Sequence, residues 1–222
     1  MSAPRRYPAH GSGFDPEEVP TDPALPEDGL LRRRSYGKTD IGKKRQHNED
    51  AYLSDDPLGL YVVADGMGGH AAGEVASQEA VEAVFNMVKG GIGAVPPLVD
   101  PLLEEDSRAA LRLMESAVQS ATYLVFSLAE VDRARAGMGT TISAALVHGS
   151  YVITAQVGDS RIYRVRAGEV QQLTEDHTLI AWQLKQGLIT PQEAKRSPHR
   201  NVITRAVGNR DYVQVDTSII AL

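Results

Sequence analysis

The sequence predicts an α+β fold in which antiparallel sheets are covered by helices. Its apolar segments come in blocks: strand-like runs first, then two long stretches with helical spacing, then another group of strand-like runs. Strands and helices that do not alternate along the chain favour antiparallel sheets over a doubly wound parallel sheet. Short turns within the later group, at 148–150, 158–160 and 167–169, are typical of hairpins.

Each element follows from the periodicity of its apolar residues and from the turn residues that bound it. The early strands are predicted at 36–42, 51–53 and 60–64. Alanines and valines at helical spacing predict a helix over 72–89, and a second helix is predicted over about 107–131. The later strands are predicted at 140–147, 151–157, 161–165, 170–173 and 212–222, with short helical segments at 177–187 and from 190 onward.

Residues 1–34 are predicted to form a disordered tail, and residues 35–222 are predicted to form one domain. The tail holds six prolines and few large apolar residues, so it cannot bury enough surface to fold by itself. The chain as a whole has 222 residues and is 42% hydrophobic, which is enough for one domain with a buried core.

Composition excludes several classes of function. The net charge of −6 argues against nucleic acid as the main partner. The absence of cysteine excludes disulfides and thiolate metal sites, so a metal would need carboxylate, imidazole or backbone oxygen ligands. No apolar run approaches the roughly 18 residues of a membrane span, and the N-terminus does not read as a secretory signal. A cytoplasmic location is therefore expected.

Asp65 is the most informative single position. It ends the apolar run 60–64 and opens a glycine cluster at 66–69 that leads into the first predicted helix. A carboxylate at the end of a buried strand needs a partner, and glycines let the backbone approach a ligand closely. The pattern therefore indicates a metal or phosphate site at a strand-to-helix turn.

Two other interpretations of this turn compete with a metal site. A plain glycine-rich turn with a solvated aspartate is one of them. The other is a dinucleotide-binding fingerprint, Gly66-x-Gly68-x-x-Ala71. Asp65 would place a negative charge beside a pyrophosphate, and the following segments do not form a parallel βαβ unit, so the fingerprint is disfavoured.

Further carboxylates lie in two other short motifs. Glu49 and Asp50 are adjacent in the sequence, so on a strand their side chains would point to opposite faces. Asp159 lies in a Gly-Asp-Ser turn between two apolar strands. Taken alone, the first pair could be a charged turn and the second motif a hairpin turn with an Asx-type hydrogen bond.

Six motifs together resemble the PPM (type 2C) family of metal-dependent Ser/Thr protein phosphatases, in its bacterial form, over residues 36–222. In chain order they are Arg45…Glu49-Asp50, Asp65-Gly66-Met67-Gly68-Gly69-His70, Gly137-Met138-Gly139-Thr140-Thr141, Gly158-Asp159-Ser160-Arg161, Thr174-Glu175-Asp176-His177 and Thr204-Arg205-Ala206-Val207-Gly208. The resemblance implies an αββα sandwich of two antiparallel β-sheets flanked by helices. It also implies hydrolysis of phosphoserine and phosphothreonine by a metal-bridging water.

The resemblance implies a set of metal ligands. Asp65 would bridge two metal ions, and the carbonyl of Gly66 would bind one of them. Asp159 matches a family position that helps to hold a third, weaker metal. Hard oxygen ligands select Mn²⁺ or Mg²⁺ over zinc, which agrees with the absence of cysteine.

The resemblance also implies residues that act on the substrate. Arg45 would bind the phosphate through its planar guanidinium group. Glu49 and Asp50 would support metal-bound waters. Many family members carry a histidine where this chain has Met67, so His70 is the nearest candidate to protonate the leaving alkoxide. A structural hydrogen bond of His70 at the helix N-terminus is the alternative.

Two C-terminal family motifs, an Asp-Gly and a late Asp-Asn, do not follow Asp159. The 35–222 domain is therefore predicted to be C-terminally incomplete, with fewer ligands for one metal. Two hypotheses remain: a protein phosphatase represented without its C-terminal part, and a catalytically impaired module that binds or regulates phosphoproteins. The expected partners are phosphorylated proteins, in the setting of a bacterial Ser/Thr kinase and its substrates, and a monomer is expected.

Overall fold

The structure is a computed structural model that describes residues 32–69, 71–96, 98 and 104–222. Within it, Arg34–Leu222 forms one compact unit. The predicted tail lies, up to residue 31, outside the described residues, so its boundary at 34 stays a prediction.

An antiparallel sheet of six strands forms the centre of this unit. Its main strands lie in the order β1-β2-β4-β5-β8, and the short β3 pairs with the end of β2. The ranges are β1 Asp50–Asp55, β2 Leu60–Met67, β3 Gly139–Thr140, β4 Ile142–His148, β5 Tyr151–Val157 and β8 Asp216–Ala221. A separate hairpin is formed by β6 Tyr163–Arg166 and β7 Glu169–Gln172.

Two long helices cover one face of the large sheet. They are α1 Ala71–Gly91 and α2 Glu104–Val131, and two shorter helices follow later, α3 Leu179–Lys185 and α4 Pro191–Arg196. In α1, the buried residues Ala76, Ala80, Val84 and Val88 recur every fourth position and form one apolar stripe. This stripe packs with the buried face of α2 and with the inward residues of the sheet in one continuous core.

Strand β2 shows how the sheet separates its two faces. Leu60, Val62 and Ala64 are buried toward the helices, whereas the alternate residues Val63 and Asp65 are exposed on the opposite face. The strand therefore delivers the Asp65 side chain to the face that α1 and α2 do not cover.

The structure confirms the helix-covered antiparallel sheet, and most predicted elements agree with the observed ones within a few residues. The two sheets of the described residues are the six-stranded sheet and the β6–β7 hairpin. No helix in the described ranges combines the length and apolar character that a membrane crossing requires.

The strand predicted at 36–42 is wrong, because this segment joins no ladder in the described structure. Side chains satisfy its polar groups instead: the Tyr52 hydroxyl donates to the Gly37 carbonyl at 3.1 Å, and the Asn48 amide donates to the Thr39 hydroxyl at 2.8 Å. Gly42, with φ +73°, then turns the chain toward β1.

Truncation of Leu146 should destabilise the whole unit. Leu146 is 0% exposed in the centre of the sheet, so Leu146→Ala should lower the free energy of unfolding by about 2–5 kcal/mol. Leu188→Ala is the matched control, since Leu188 is 61% exposed and should change stability by less than about 0.5 kcal/mol. Urea unfolding followed by circular dichroism measures both; equal losses would contradict the assigned core.

Candidate metal centre

The backbone of Asp65 is held by Thr140, the last residue of β3, and by Thr141, which lies between β3 and β4. Its N–H donates to the Thr141 hydroxyl at 2.9 Å, and its carbonyl accepts from the Thr141 N–H at 2.9 Å. The Thr140 hydroxyl also donates to the Asp65 carbonyl at 3.0 Å. These bonds fix the end of β2, and therefore the direction in which the Asp65 carboxylate leaves the sheet.

Gly66 lies where three backbone segments meet. Its N–H donates to the Glu49 carbonyl at 3.0 Å. A Cβ at Gly66 would lie 2.0 Å from the Gly73 carbonyl oxygen in the first turn of α1 and 2.7 Å from the Glu49 carbonyl oxygen. Only glycine permits this approach, which brings the β2–α1 turn close to the segment that carries Glu49.

Several negative charges converge on the Asp65 carboxylate. Asp50 is its direct partner in the β1–β2 register. Burial raises the pKa of Asp65, and the negative charges of Asp50, Asp159 and Glu49 raise it further, whereas the positive charge of Arg45 lowers it. Like charges held together in this way oppose folding unless a cation joins them.

Glu49 and Asp50 lie on different sides of the chain, as strand alternation predicts. The Glu49 side chain is 18% exposed and reaches toward α1, where a Cβ at Gly73 would lie 2.4 Å from Oε1. Oε1 is buried and has no hydrogen-bond partner among the described residues, while Oε2 lies 3.5 Å from Arg45 Nη1. A buried carboxylate oxygen without a partner costs free energy, so this atom suits a bound water or ligand.

These features fit a hard divalent cation. The side chains around Asp65 offer oxygen donors, and their mutual repulsion would be relieved by positive charge. Within the described ranges, however, no group of three or more His, Cys, Asp or Glu residues is close enough to surround one ion. The described carboxylates therefore offer donors for only part of a coordination shell, an arrangement that would suit Mg²⁺ because this ion keeps several of its waters.

A cavity of about 220 Å³ lies beside the centre on the face that α1 and α2 do not cover. Asp50 and Asp65 line it together with Ser160, and Lys38 and Thr39 line it as well. The cavity therefore combines carboxylates with an ammonium group and hydroxyl groups. Lys38 is a candidate anion-binding residue that the sequence reading missed.

The turn that carries Asp159 is joined to Asp65 through Thr141. The Thr141 and Ser160 hydroxyls lie 2.7 Å apart. Gly158 has φ +103°, and a Cβ there would lie 2.5 Å from Thr141 Cγ2. The left-handed backbone and the close contact both require glycine at position 158.

The structure thus gathers five of the predicted site residues, because the charges of Arg45, Glu49, Asp50 and Asp159 all act on Asp65. Gly66 follows Asp65 directly at the end of β2. His70 lies outside the described residues. Thr141, which holds Asp65, is a functional residue that motif 137–141 does not reveal, because its partner lies 76 positions away in the sequence.

The fold and the site fit one class of protein: an enzyme that uses a divalent metal beside carboxylates at the end of a helix-covered antiparallel sheet. Comparison with known proteins narrows this class. The profile of the family "Protein phosphatase 2C" matches residues 38–201. The chain belongs to this family, and it is a metal-dependent protein serine/threonine phosphatase.

Individual relatives agree with the family profile. The serine/threonine phosphatase stp of Listeria welshimeri is 37% identical over 186 residues, which cover 82% of this chain and 70% of the relative. The crystal structure of the Mycobacterium tuberculosis serine/threonine phosphatase PstP/Ppp has a TM-score of 0.69 and 33% identity, covering 83% of this chain and 71% of that one. The catalytic domain of PstP in complex with two manganese ions has a TM-score of 0.65 and 32% identity, covering 82% and 70%.

Removal of the Asp65 charge should stabilise the metal-free protein. An acid whose pKa is higher in the folded state binds more protons when folded, so stability falls as pH rises from the ordinary value of 3.8 through the raised value. Asp65→Asn should therefore be more stable than wild type at pH 7 in EDTA, and the difference should shrink as the pH falls toward 4.

Urea unfolding of wild type and Asp65→Asn measures this difference in EDTA. The matched measurement repeats the unfolding with Mn²⁺ in place of EDTA. Wild type should then gain stability and Asp65→Asn should not, because the variant lacks the charged ligand. A metal-free Asp65→Asn protein that is less stable than wild type at pH 7 would show that the Asp65 carboxylate is satisfied without a cation.

Proposed function

We propose that the centre around Asp65 is the place where phosphoserine and phosphothreonine esters of proteins are hydrolysed. The observation that carries the proposal is the position of Asp65: the hydroxyls of Thr141 and Thr140 hold its backbone N–H and carbonyl, and the charges of Asp50 and Asp159 act on its carboxylate. Two Mn²⁺ or Mg²⁺ ions, when bound, would acidify a water molecule and neutralise phosphate oxygens. The two manganese ions of the related PstP structure support this choice and number of metals.

The protein supplies this chemistry with a rigid set of oxygen donors. Asp65 would be the shared ligand of the two ions, and the adjoining Gly66 carbonyl is proposed as a second donor at the same turn. Asp159 is proposed as a ligand of a third, weaker metal, because it acts on the Asp65 charge from the neighbouring turn. Glu49 and Asp50 would accept hydrogen bonds from waters around these ions, and the unpartnered Oε1 of Glu49 is suited to that role.

Arg45 is proposed to bind the phosphate of the substrate. Its side chain is 61% exposed, and its guanidinium is 3.5 Å from Glu49 at the edge of the carboxylate cluster. The contact to Glu49 uses only part of the guanidinium fork, so other N–H groups can donate to two phosphate oxygens. The positive charge of Arg45 also lowers the pKa of Asp65, which supports a role for Arg45 beside the proposed centre.

His70 is proposed to protonate the leaving serine or threonine oxygen. In the sequence it follows the glycine cluster and directly precedes Ala71, the first residue of α1. An imidazole can hold a proton near neutral pH and donate it to an alkoxide.

The biological setting is proposed from the same reaction. Phosphorylated proteins are the substrates of a protein phosphatase, and a bacterial Ser/Thr kinase would be the enzyme that it opposes. This kinase, the monomeric state and the cytoplasmic location stay predictions. A non-catalytic binding module is not favoured, because the relatives in the comparison are named as phosphatases.

Hydrolysis of p-nitrophenyl phosphate should require both Mn²⁺ and Asp65. Asp65→Ala should reduce the Mn²⁺-dependent rate by about 1,000-fold or more, since loss of the shared ligand removes several kcal/mol of transition-state stabilisation. Glu115→Ala, which removes an exposed carboxylate on α2, should leave the rate unchanged. A folded wild-type chain without activity at millimolar Mn²⁺ would contradict the proposal for this chain.

Arg45 variants should separate phosphate binding from metal chemistry. Arg45→Ala should lower kcat/KM for a phosphothreonine peptide by about 10- to 100-fold, mainly through KM, because a charge-assisted bidentate contact contributes about 1.5–3 kcal/mol. Arg45→Lys should recover part of the loss, since it restores the charge but not the fork. Arg112→Ala, at an exposed position of α2, is the control. An unchanged KM in Arg45→Ala would exclude the phosphate-binding role.

A further inference from the structure

His177 holds both backbone polar groups of Gly158, the residue before Asp159. The Gly158 N–H donates to His177 Nδ1 at 3.1 Å, and the His177 N–H donates to the Gly158 carbonyl at 2.9 Å. The His177 side chain is 4% exposed, so neither contact is exchanged readily with water. One residue therefore fixes the backbone immediately before Asp159.

The contact at Nδ1 identifies the tautomer of His177. Because Nδ1 accepts from Gly158, the neutral ring carries its proton on Nε2. That N–H donates to Asp216 Oδ2 at 3.0 Å. Arg205 Nη1 lies 3.2 Å from Nε2, but both are donors, and the partner of Arg205 is Asp216 Oδ1 at 2.7 Å. Asp216, at the start of β8, thus orients the ring while Arg205 balances its charge.

Burial alone would raise the pKa of Asp216, but hydrogen bonds from His177 and Arg205 hold that pKa below its ordinary value. Asp216 therefore remains an ionised acceptor for the ring at neutral pH. The cluster Asp216–His177–Arg205 is a fully paired unit that lies outside the set of residues assigned to the reaction.

The position of Gly158 is transmitted to Asp65 through Thr141. Gly158 contacts the Thr141 side chain so closely that a Cβ would meet it at 2.5 Å, and the Thr141 hydroxyl accepts from the Asp65 N–H. His177 also joins the two ends of the segment 177–204, because its carbonyl accepts from the Thr204 N–H at 2.8 Å. A single imidazole thus connects this segment, the Asp159 turn and the Asp65 turn.

We propose that His177 is a positioning residue for the metal centre: its Nδ1 sets the Gly158-Asp159 turn so that Asp159 can serve as a ligand, and Asp216 and Arg205 hold the ring in that orientation. The inference rests on the proposed ligand role of Asp159. Residues that orient metal ligands typically change metal affinity by about 10- to 100-fold when they are replaced.

Two amide variants test the contacts of the two ring nitrogens separately. In His177→Asn, the amide oxygen can occupy the place of Nδ1 and accept from Gly158, while the contact to Asp216 is lost. In His177→Gln, the longer amide can reach Asp216 in the place of Nε2–H, while Gly158 loses its acceptor. If the inference is correct, the glutamine variant impairs metal binding and the asparagine variant largely preserves it.

The test is Mn²⁺ binding to the full chain by titration calorimetry, without substrate. Asp159→Asn first identifies the part of the titration that depends on Asp159. For that part, His177→Gln should weaken the affinity about tenfold or more, and His177→Asn should weaken it less than about threefold. His148→Asn is the control, because His148 binds the carbonyls of Val95 and Pro96 at the far end of β4.

The outcomes distinguish the inference from the proposed function. If Asp159→Asn leaves the titration unchanged, the ligand role of Asp159 is wrong and the inference fails with it. If Asp159→Asn weakens binding but the two His177 variants lose equal affinity, or lose none, the inference alone is overturned. Should His177→Gln not fold, Asp216→Ala replaces it. Without Asp216 the His177 ring is no longer held in orientation, so the same Mn²⁺ affinity should fall about three- to tenfold. An unchanged affinity overturns the inference.

Discussion

The centre depends on two hydrogen bonds that Thr141 makes to the backbone of Asp65, one through its side-chain hydroxyl and one through its backbone N–H. The N–H of Asp65 donates to the Thr141 hydroxyl, and the N–H of Thr141 donates to the Asp65 carbonyl, each at 2.9 Å. These bonds join the end of β2 to the residue that precedes β4, at the place where the Asp65 carboxylate leaves the sheet. The Thr141 side chain also meets Ser160 and Gly158, so the same threonine sets the distance between the Asp65 and Asp159 turns.

The fixed position of β2 holds the carboxylates of Asp50 and Asp65 close to each other. Asp50 is paired with Asp65 across the β1–β2 ladder, and the apolar core beneath the sheet prevents β2 from moving away. Repulsion between these carboxylates destabilises the folded protein when no metal is bound. A divalent cation bound among them would remove that repulsion. Metal affinity and fold stability are therefore coupled through the same hydrogen bonds. Glycines at 66 and 158 make the coupling possible because no side chain could pass at those contacts.

The sequence predicted the elements whose signal is local. The alternation in β2 and the four-residue spacing of buried residues in α1 follow from the periods of strand and helix, and both were predicted. The prediction of a strand at 36–42 is wrong because an extended pattern with glycines does not show whether a neighbouring strand is present to pair with it. Thr141 and His177 could not be given roles from the sequence, since each acts through contacts that only the fold creates; Thr141 bonds to a residue 76 positions away. The carboxylate positions were found through the order of the motifs, and the unpartnered Glu49 Oε1 required the structure.

The most direct measurement is the location of bound metal in crystals of this chain grown with Mn²⁺. Anomalous scattering at the manganese absorption edge should give a peak within about 2.5 Å of an Asp65 carboxylate oxygen, which is the range of direct oxygen coordination to such ions. A manganese peak elsewhere, with the Asp65 carboxylate coordinating no ion at saturating Mn²⁺, would contradict the central claim that this residue holds the catalytic metals.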